Sequence, residues 1–402
     1  MMHGAGDSGG ESTAAGLAEL HRAAGAVMLP YGEGVEVAGA FDALELEYAA
    51  VRKHCALMHL PQRTALEVTG ADRMDYLNRM LTQELKGVGP GSVRRSFWLS
   101  KQGRVVGDLR VVVLPDRVLL DVDAHAAAPT AEGLGAYVVM EEVEVKRPEV
   151  ERMALHGPTA GELLAAVFGT PPAEGACAEG PVAGHACVVW REDSAGVPGF
   201  ELAVARNAAV EVWRALIAAG HDASHGAAAL REGDRSGLGT RVRLRPIGWH
   251  AYNIARIEAG TAIFGIDFGT RSLPAETGVL ADRVSFTKGC YLGQEVVARM
   301  HARGAFKQRL VGVKFDSVAG PEELGLLPAE GAELFPVADG VIGAECVGAV
   351  TSSTIAPMLG SSPIAFAAVR YTHVAPGTML AAMVDGREVR GVVQEKLRFV
   401  AS

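Results

Sequence analysis

Residues 288–295 read Lys-Gly-Cys-Tyr-Leu-Gly-Gln-Glu, and the chain continues Val-Val-Ala-Arg over residues 296–299. This octet combines a thiol, an ammonium, an amide, a carboxylate and a phenol, separated by two glycines. Hydrophobic cores contain few such groups because an unpaired buried charge is costly, and glycines let the backbone turn so that polar groups can face one point. The whole octet therefore predicts a functional site. Its first three residues alone are better explained by a surface turn before a helix, with an incidental cysteine.

Cys290 is the reactive group of this octet. The ammonium of Lys288, two residues earlier, favours the thiolate, which is the nucleophilic and metal-binding form of cysteine. One thiolate cannot hold an iron–sulfur cluster by itself. We therefore expect Cys290 to act as a nucleophile or as a transient ligand.

Composition indicates a soluble globular protein. The 402 residues exceed one ordinary core of ~100–200 residues, so two or three subdomains are expected. Apolar residues make up 49% and charged residues 21% of the chain, which is ordinary for this class. The net charge of −9 argues against direct nucleic-acid binding, because phosphate binding needs a basic surface.

The cysteines and residues 1–16 indicate the cellular location of the protein. The five cysteines are scattered along the chain and predict no disulfide framework. No Cys-x-x-Cys pair occurs, which argues against a structural zinc site. No apolar run reaches the ~18–20 residues that span a bilayer, and residues 1–16 carry no Lys or Arg, unlike a signal peptide. We expect a cytoplasmic protein without membrane contact. Residues 1–30 predict a poorly ordered tail, with a short helix near Leu17–Ala24.

Strand and helix patterns follow each other over residues 31–304. Alternating apolar residues predict strands at 65–69, 97–99, 105–114 and 118–122, and a hairpin at 188–191 and 200–204. Apolar residues at helical spacing predict helices over 43–53, from Asp72, and over 159–168 and 208–219. No Gly-x-Gly-x-x-Gly follows a strand, so a dinucleotide site has no support. We predict an α+β region of two subdomains around a central cleft.

After Gly304 the sequence changes to short strands separated by turns. This pattern predicts a C-terminal β-barrel domain over residues 305–402. Just before the octet, residues 256–267 mix charges with apolar residues and glycines, as in a loop that lines a site. The alternative for this segment is a charged helix end followed by a turn.

The octet resembles the signature of the YgfZ family of folate-binding proteins, which are relatives of the glycine cleavage T-protein, an aminomethyltransferase. Further segments are similar to T-protein sequences at residues 81–85, 103–109, 155–160, 256–267 and 348–366. T-proteins usually lack a cysteine at the position of Cys290, which places the chain on the YgfZ side. The resemblance implies a T-protein-like fold of interleaved α+β subdomains around a cleft, closed by a C-terminal barrel, with tetrahydrofolate as cofactor.

The resemblance also implies roles for particular residues. Cys290 and Glu84 are the expected catalytic groups, and Glu84 follows a predicted helix at a loop boundary. The cleft is expected to hold Glu84, the 256–267 segment and the octet together. Expected folate contacts are Glu258 or Glu84 at the pterin edge, Tyr291 and Phe264 at the ring, Arg256, Lys288 and Arg303 at the glutamate tail, and Gln294 and Glu295 beside them.

Two departures from the T-protein pattern weaken aminomethyl transfer more than folate binding. T-proteins carry an aspartate at the position matched by Glu84, and the extra methylene moves the carboxylate by about 1.5 Å, enough to harm positioned catalysis. Val197 stands where T-proteins supply a glutamate to the pterin, and a valine cannot accept the pterin N–H donors.

The resemblance therefore implies a tetrahydrofolate-binding accessory protein for iron–sulfur cluster assembly or repair, including enzymes of tRNA modification. Its expected partners are a folate derivative and iron–sulfur proteins or assembly factors. The alternative is a folate-dependent aminomethyltransferase of the T-protein type. A third possibility is a scaffold whose pocket has lost its ligand.

Overall fold

The computed structural model describes residues 16–222, 242–304, 306–316 and 326–400. It begins with helix α1 (Leu17–Ala23) and a hairpin of strands β1 (Val27–Pro30) and β2 (Glu36–Ala40). Leu17 and His21, one helical turn apart, are both buried. The expected short helix is present. The prediction of a poorly ordered tail is wrong for residues 16–30, because α1 buries this face; residues 1–15 lie outside the described ranges.

The chain then alternates between short helices and strands. Up to residue 156 it forms α2 (Leu44–Lys53), β3 (Cys55–His59), β4 (Arg63–Thr69), α3 (Arg73–Met80), β5 (Ser92–Leu99), β6 (Val105–Val113), β7 (Val118–Asp123), α4 (Ala124–Gly135), β8 (Glu144–Lys146) and β9 (Val150–His156). It continues with α5 (Ala160–Val167), β10 (Cys177–Val182), β11 (His185–Arg191), β12 (Gly199–Ala205), α6 (Ala209–Ala219), β13 (His221–Asp222), β14 (Arg243–Pro246), α7 (Trp249–Ala259) and α8 (Gln294–Arg303).

The first sheet has seven strands in the order β10-β11-β12-β9-β3-β14-β13. Alternate residues of its central strands point to opposite faces. Leu57 and Leu155 pack with α1, α5 and α6, whereas Met58 and Ala154 pack with α2 and α7. The sheet is therefore covered by helices on both faces.

The second sheet has five antiparallel strands in the order β5-β6-β7-β4-β8. One face carries Leu66 and Leu120, which pack with α3 and α4. The other face carries Val112 and Leu119, which pack against strands β10 to β12 of the first sheet. The two sheets thus enclose a common interior.

The remaining strands form the barrel, with β15 (Gln308–Phe315), β16 (Glu333–Ala338), β17 (Val341–Ile342), β18 (Gly348–Ala356), β19 (Ser362–Arg370), β20 (Met379–Val384) and β21 (Arg387–Val393). Pairing of β16 with both β18 and β20 closes the sheet on itself. The register of β18 against β19 shifts between Val350 and Ser352, so Thr351 forms a bulge. The predicted α+β class with a C-terminal β-barrel is confirmed.

The segment before the octet differs from the expectation. Residues 256–259 are the last turn of α7, and Gly260 ends the helix in the left-handed conformation with φ of 83°. Of the two predictions for this segment, the charged helix end is therefore the correct one for residues 256–259. Across the described ranges, no helix is long and apolar enough to cross a bilayer.

Candidate functional site

A cavity of about 860 Å³ opens where the β1–β2 hairpin, α4, α7 and the barrel meet. Its apolar lining includes Leu29, Val37, Val106 and Ile266. Its aromatic lining comes from elements far apart in the chain and is formed by Tyr31, His125, Trp249 and Phe264. The Tyr31 ring lies 5.9 Å from the His125 ring in a stacked arrangement and 6.1 Å from the Trp249 ring, edge to face. These walls form a slot suited to a flat ring.

Asp123 is the main buried carboxylate in this lining. Its Oδ2 accepts a hydrogen bond from Tyr31 Oη at 2.8 Å, and its Oδ1 caps α4 by accepting one from the backbone N–H of His125 at 2.9 Å. Burial and the charge of Asp123 raise the pKa of Tyr31 far above its usual value. Tyr31 therefore stays protonated and keeps donating to Asp123.

Arg256 lies in the cavity wall, fully held by its neighbours. Its guanidinium donates to Asn253 Oδ1 at 2.8 Å, to Asp267 Oδ2 at 2.8 Å and to Ser352 Oγ at 2.7 Å. Thr351 Oγ1 also donates to Asp267, at 3.1 Å. The bulge in β18 lets both adjacent hydroxyls reach the same carboxylate, so the barrel is tied to α7 at the edge of the cavity.

A smaller pocket of about 40 Å³ lies next to this cavity, and Tyr31, Trp249 and Phe264 line both of them. Its polar lining belongs to a buried network of ion pairs between the two sheets, in which Asp108 binds Arg283, Arg110 binds Glu192, and Glu201 binds Arg152.

The ionisation of this network follows from its arginines. Burial alone would raise the pKa of Glu192, but the guanidiniums of Arg95 and Arg110 outweigh it and lower that pKa to about 2. Burial and the neighbouring Asp121 raise the pKa of Glu201 instead. The interior therefore holds one carboxylate that ionises readily beside one that resists ionisation.

Glu258 lies outside the cavity lining. Its Oε2 accepts hydrogen bonds from Tyr48 Oη at 2.6 Å and from Arg52, and its Oε1 accepts one from the backbone N–H of Met358 at 3.2 Å. The backbone N–H of Phe399 donates to its carbonyl oxygen at 3.0 Å. Glu258 thus joins α2, α7, the barrel and the last residues described. Its expected contact with a pterin finds no geometric support, because this carboxylate is already fully engaged.

Lys288 is also engaged elsewhere. Its Nζ donates to the backbone oxygens of Asn78, Leu81 and Gln83 at 2.6–2.8 Å. The last carbonyls of α3 have no partner within the helix, so Lys288 caps that helix end. Burial lowers the pKa of Lys288 to about 8. Glu84 lies beside it, half-buried, and accepts a hydrogen bond from the backbone of Lys86 at 3.1 Å.

The rest of the octet surrounds this anchor. Tyr291 is buried in the core of the second sheet, and burial raises its pKa to about 12. Gln294 and Glu295 begin α8, where Glu295 is exposed. Cys290 is an exposed free thiol on the loop before α8. The Arg303 side chain lies outside the described ones.

The structure therefore separates the expected site residues into two groups. Arg256 and Phe264 line the cavity, whereas neither Glu84 nor any residue of the octet does. The expectation that one cleft holds all three segments is not met, because Lys288 binds the octet to the end of α3 instead. Their roles in binding and catalysis stay predictions.

Several residues that line the cavity belong to no recognisable sequence motif. Tyr31 and Trp249 are single aromatics about two hundred residues apart, which only the fold brings together. Asp123, directly after a predicted strand and before an alanine-rich stretch, was the one available signal, since an aspartate there is typical of a helix N-cap.

Comparison with known proteins assigns the chain to a family. The model of the GCVT N-terminal domain matches residues 17–232, and that of the glycine cleavage T-protein C-terminal barrel domain matches residues 309–399. An aminomethyltransferase from Streptomyces coelicolor is 29% identical over 371 residues, covering 90% of each chain. One from Symbiobacterium thermophilum is 27% identical over 392 residues, covering 94% of this chain and 95% of the relative.

The same architecture occurs in a solved structure. The crystal structure of the glycine cleavage system aminomethyltransferase T from Bartonella henselae matches with a TM-score of 0.79 over 96% of this chain and 97% of that one, at 22% identity. The expected T-protein fold is thereby confirmed. The chain belongs to the glycine cleavage T-protein family, with a GCVT N-terminal domain followed by the family's C-terminal barrel domain.

Proposed function

We propose that the chain binds tetrahydrofolate in the cavity between α4, α7 and the barrel. The cavity itself is the observation that carries this proposal. Its volume of about 860 Å³ lies within the ~300–1,000 Å³ of small-molecule sites, and its lining is mostly apolar and aromatic with a few polar groups. A pterin ring fits between Tyr31, Trp249 and Phe264 by stacking or edge contacts.

Polar groups at this cavity would orient the ligand. Asp123 is an acceptor held in place by Tyr31, and Ser353 offers a hydroxyl from the barrel. Asn253 and Asp267 fix the guanidinium of Arg256 before any ligand arrives, so little side-chain entropy is lost on binding. When bound, tetrahydrofolate would supply the atoms that accept or release a one-carbon unit.

Aminomethyl transfer to this folate is the first candidate activity. The relatives described above are named aminomethyltransferases and align over nearly the whole chain. This candidate predicts turnover of tetrahydrofolate with an aminomethyl group on a lipoyl protein, or with an N-methylated amine. Asp123 is the buried carboxylate of the cavity lining and thus the candidate for proton transfer, a role that needs hydrogen-bond reach to the reacting nitrogen.

An accessory role in iron–sulfur cluster assembly or repair, as the YgfZ resemblance implies, is the second candidate. The exposed thiol of Cys290 favours it, because this group lies on an anchored loop outside the cavity, where a protein partner can reach it. Val197 favours it also, since this side chain packs with the apolar cluster around Tyr48 and Tyr252 and offers no acceptor to a pterin. Its clients would include iron–sulfur enzymes of tRNA modification.

Binding and turnover assays separate these possibilities. Anaerobic calorimetry with tetrahydrofolate tests the cavity, and micromolar saturable binding is expected. Aminomethyl-transfer assays with the bound protein then test the first candidate. For the second, a Cys290→Ser chain should fail to restore iron–sulfur enzyme activity in a deletion strain that the unaltered chain restores. Full rescue by Cys290→Ser would remove the thiol from the mechanism.

A further inference from the structure

The exposed thiol of Cys290 lies on a loop that packs against two neighbouring loops. The first of these follows α3. Lys288 Nζ donates to the backbone oxygen of Gln83 at 2.8 Å, which holds the two loops together. Lys86, three residues after Gln83, is exposed. A lysine therefore stands at the surface of the loop that supports the thiol.

The second neighbouring loop is the turn between β5 and β6. A Cβ on Gly293 would lie 2.9 Å from Ser100 O and 3.2 Å from Gly103 Cα, so the turn packs directly on the start of α8. This turn carries Lys101 and Arg104, and both are exposed. The loop of the thiol is thus bordered by cations from two separate segments of the chain.

These cations are not neutralised by carboxylates. Across the ranges that the structure describes, no ion pair includes the exposed residues Lys86, Lys101, Arg104 and, on α8, Arg299. The same loops and helix carry two carboxylates, Glu84 and Glu295. Although the chain has a net charge of −9, this part of its surface is therefore basic.

An exposed aromatic pair adds an apolar contact to this surface. Phe286, four residues before Cys290, is 43% exposed. Its ring stacks on that of His301 of α8, with 3.9 Å between the ring centroids. Aromatic residues and arginines are enriched in protein–protein interfaces and at their hot spots. The combination of unpaired cations with an exposed aromatic ring is therefore typical of a surface that binds another protein.

The charge of the whole chain favours a protein over a nucleic acid as the occupant. A nucleic acid is an extended polyanion, and its phosphates beyond this surface would meet a chain of net charge −9. A folded protein with a local cluster of Asp and Glu contacts this surface alone. The anchoring by Lys288 also fixes the loop before a partner arrives, which lowers the entropy lost on docking.

We propose that residues 83–86, 100–104 and 286–302, together the Cys290 surface, dock an acidic protein partner. The cations speed its association and select its charge, and Phe286 supplies an apolar contact. The docked partner then lies against the Cys290 thiol. This inference deepens the second candidate function and rests on it for the role of the thiol, while the charge of the partner follows from the surface itself.

The first test measures binding of two defined anions by fluorescence anisotropy, a short polyglutamate peptide and a transfer RNA. It compares the unaltered chain with the double variant Lys86→Glu/Lys101→Glu. The control is Lys53→Glu/Lys314→Glu, which reverses two exposed lysines on α2 and β15 and changes the net charge equally. At low salt the first double variant should bind polyglutamate about tenfold more weakly, whereas the control should bind as the unaltered chain does.

Thermal unfolding checks that both double variants keep the fold, as expected for exposed lysines. Equal weakening of polyglutamate binding in the two double variants would overturn the inference, because net charge alone would then explain it. Absence of polyglutamate binding by the unaltered chain would also overturn it. Tighter binding of the transfer RNA than of polyglutamate would overturn it in favour of a nucleic-acid surface.

The second test connects the surface to the accessory function. In the deletion strain, Lys86→Glu/Lys101→Glu should fail to restore iron–sulfur enzyme activity while its tetrahydrofolate affinity stays unchanged, and the control double variant should restore it. Full rescue by Lys86→Glu/Lys101→Glu would overturn the inference. If the unaltered chain itself restores no activity, the accessory function fails, and the polyglutamate measurements still decide whether the surface selects an acidic partner.

Discussion

Arg256 Nη2 donates a hydrogen bond to Ser352 Oγ at 2.7 Å, and this contact joins α7 to the barrel at the wall of the cavity. The same guanidinium forms a buried ion pair with Asp267. The cavity is therefore completed only when the barrel is docked on the N-terminal region.

Replacing Arg256 by Met should destabilise the chain strongly. Asp267 would be left as a buried charge without its partner, which costs about 3–5 kcal/mol. Ser352→Ala removes one hydrogen bond and should cost about 1 kcal/mol. Urea unfolding of both variants measures these losses in the free energy of unfolding. Equal losses for the two variants would show that the ion pair is not the main contribution.

Lys288→Met should lower stability without affecting the cavity. Three backbone oxygens around the end of α3 would lose their shared donor, for a loss of about 1–3 kcal/mol in the free energy of unfolding. Lys86→Met, an exposed lysine on the neighbouring loop, is the matched control and should change nothing measurable. Loss of tetrahydrofolate affinity in a folded Lys288→Met protein would contradict the structural role assigned to this lysine.

The two glycines of the octet should respond differently to alanine. Gly293 has φ of 81°, and a Cβ there would lie 2.9 Å from Ser100 O. Gly293→Ala should therefore cost about 1–2 kcal/mol through the left-handed backbone alone. A Cβ on Gly289 meets nothing within 4 Å, and its φ is not in the left-handed region, so Gly289→Ala is the control. Melting temperatures compare the two, and an equal decrease would refute the account of this loop.

Stability should fall as the pH drops below about 6.5. Burial lowers the pKa of His156 to about 4, and both its ring nitrogens lack hydrogen-bond partners. The unfolded chain binds a proton near pH 6.5, whereas the folded chain resists it until about pH 4. Between these values the unfolded state binds more protons, so stability is full above pH 6.5 and decreases toward pH 4, by about 3 kcal/mol for this group.

The measurement is the urea midpoint at pH 7.5, 6 and 5, for the unaltered chain and for His156→Leu. The variant should show a flatter decrease, although it loses the stacking contact with Tyr252, whose ring lies 5.4 Å away. His21, with a pKa lowered to about 3 by burial and by His59, adds a similar slope that the variant retains. An identical slope in both proteins would contradict the role of His156.

The sequence predicted most of the fold because its patterns are local. The alternating strands of the second sheet and the apolar faces of α3, α5 and α6 are visible as periodicities. Helix α4 was missed because its alanines show no apolar period and Pro129 lies within it. The cap that Asp123 provides explains why the helix forms there nevertheless.

The candidate site was less predictable because it depends on contacts between distant segments. The octet was expected in the cleft, but its lysine caps α3 and its tyrosine fills a core. The dense polar residues of the octet therefore belong to a tightly anchored loop and do not line the cavity. Tyr31 and Trp249 were missed because each is an isolated residue whose neighbours are set by the fold alone.

We propose that the cavity binds tetrahydrofolate while the octet serves another purpose. Anaerobic calorimetry with tetrahydrofolate on the unaltered chain, Asp123→Asn and Glu84→Gln tests it most directly. Asparagine still caps α4, so Asp123→Asn should keep the fold and weaken binding at least tenfold, whereas Glu84→Gln should bind as the unaltered chain does. Undiminished binding by Asp123→Asn together with lost binding by Glu84→Gln would place the folate at the octet and contradict the account.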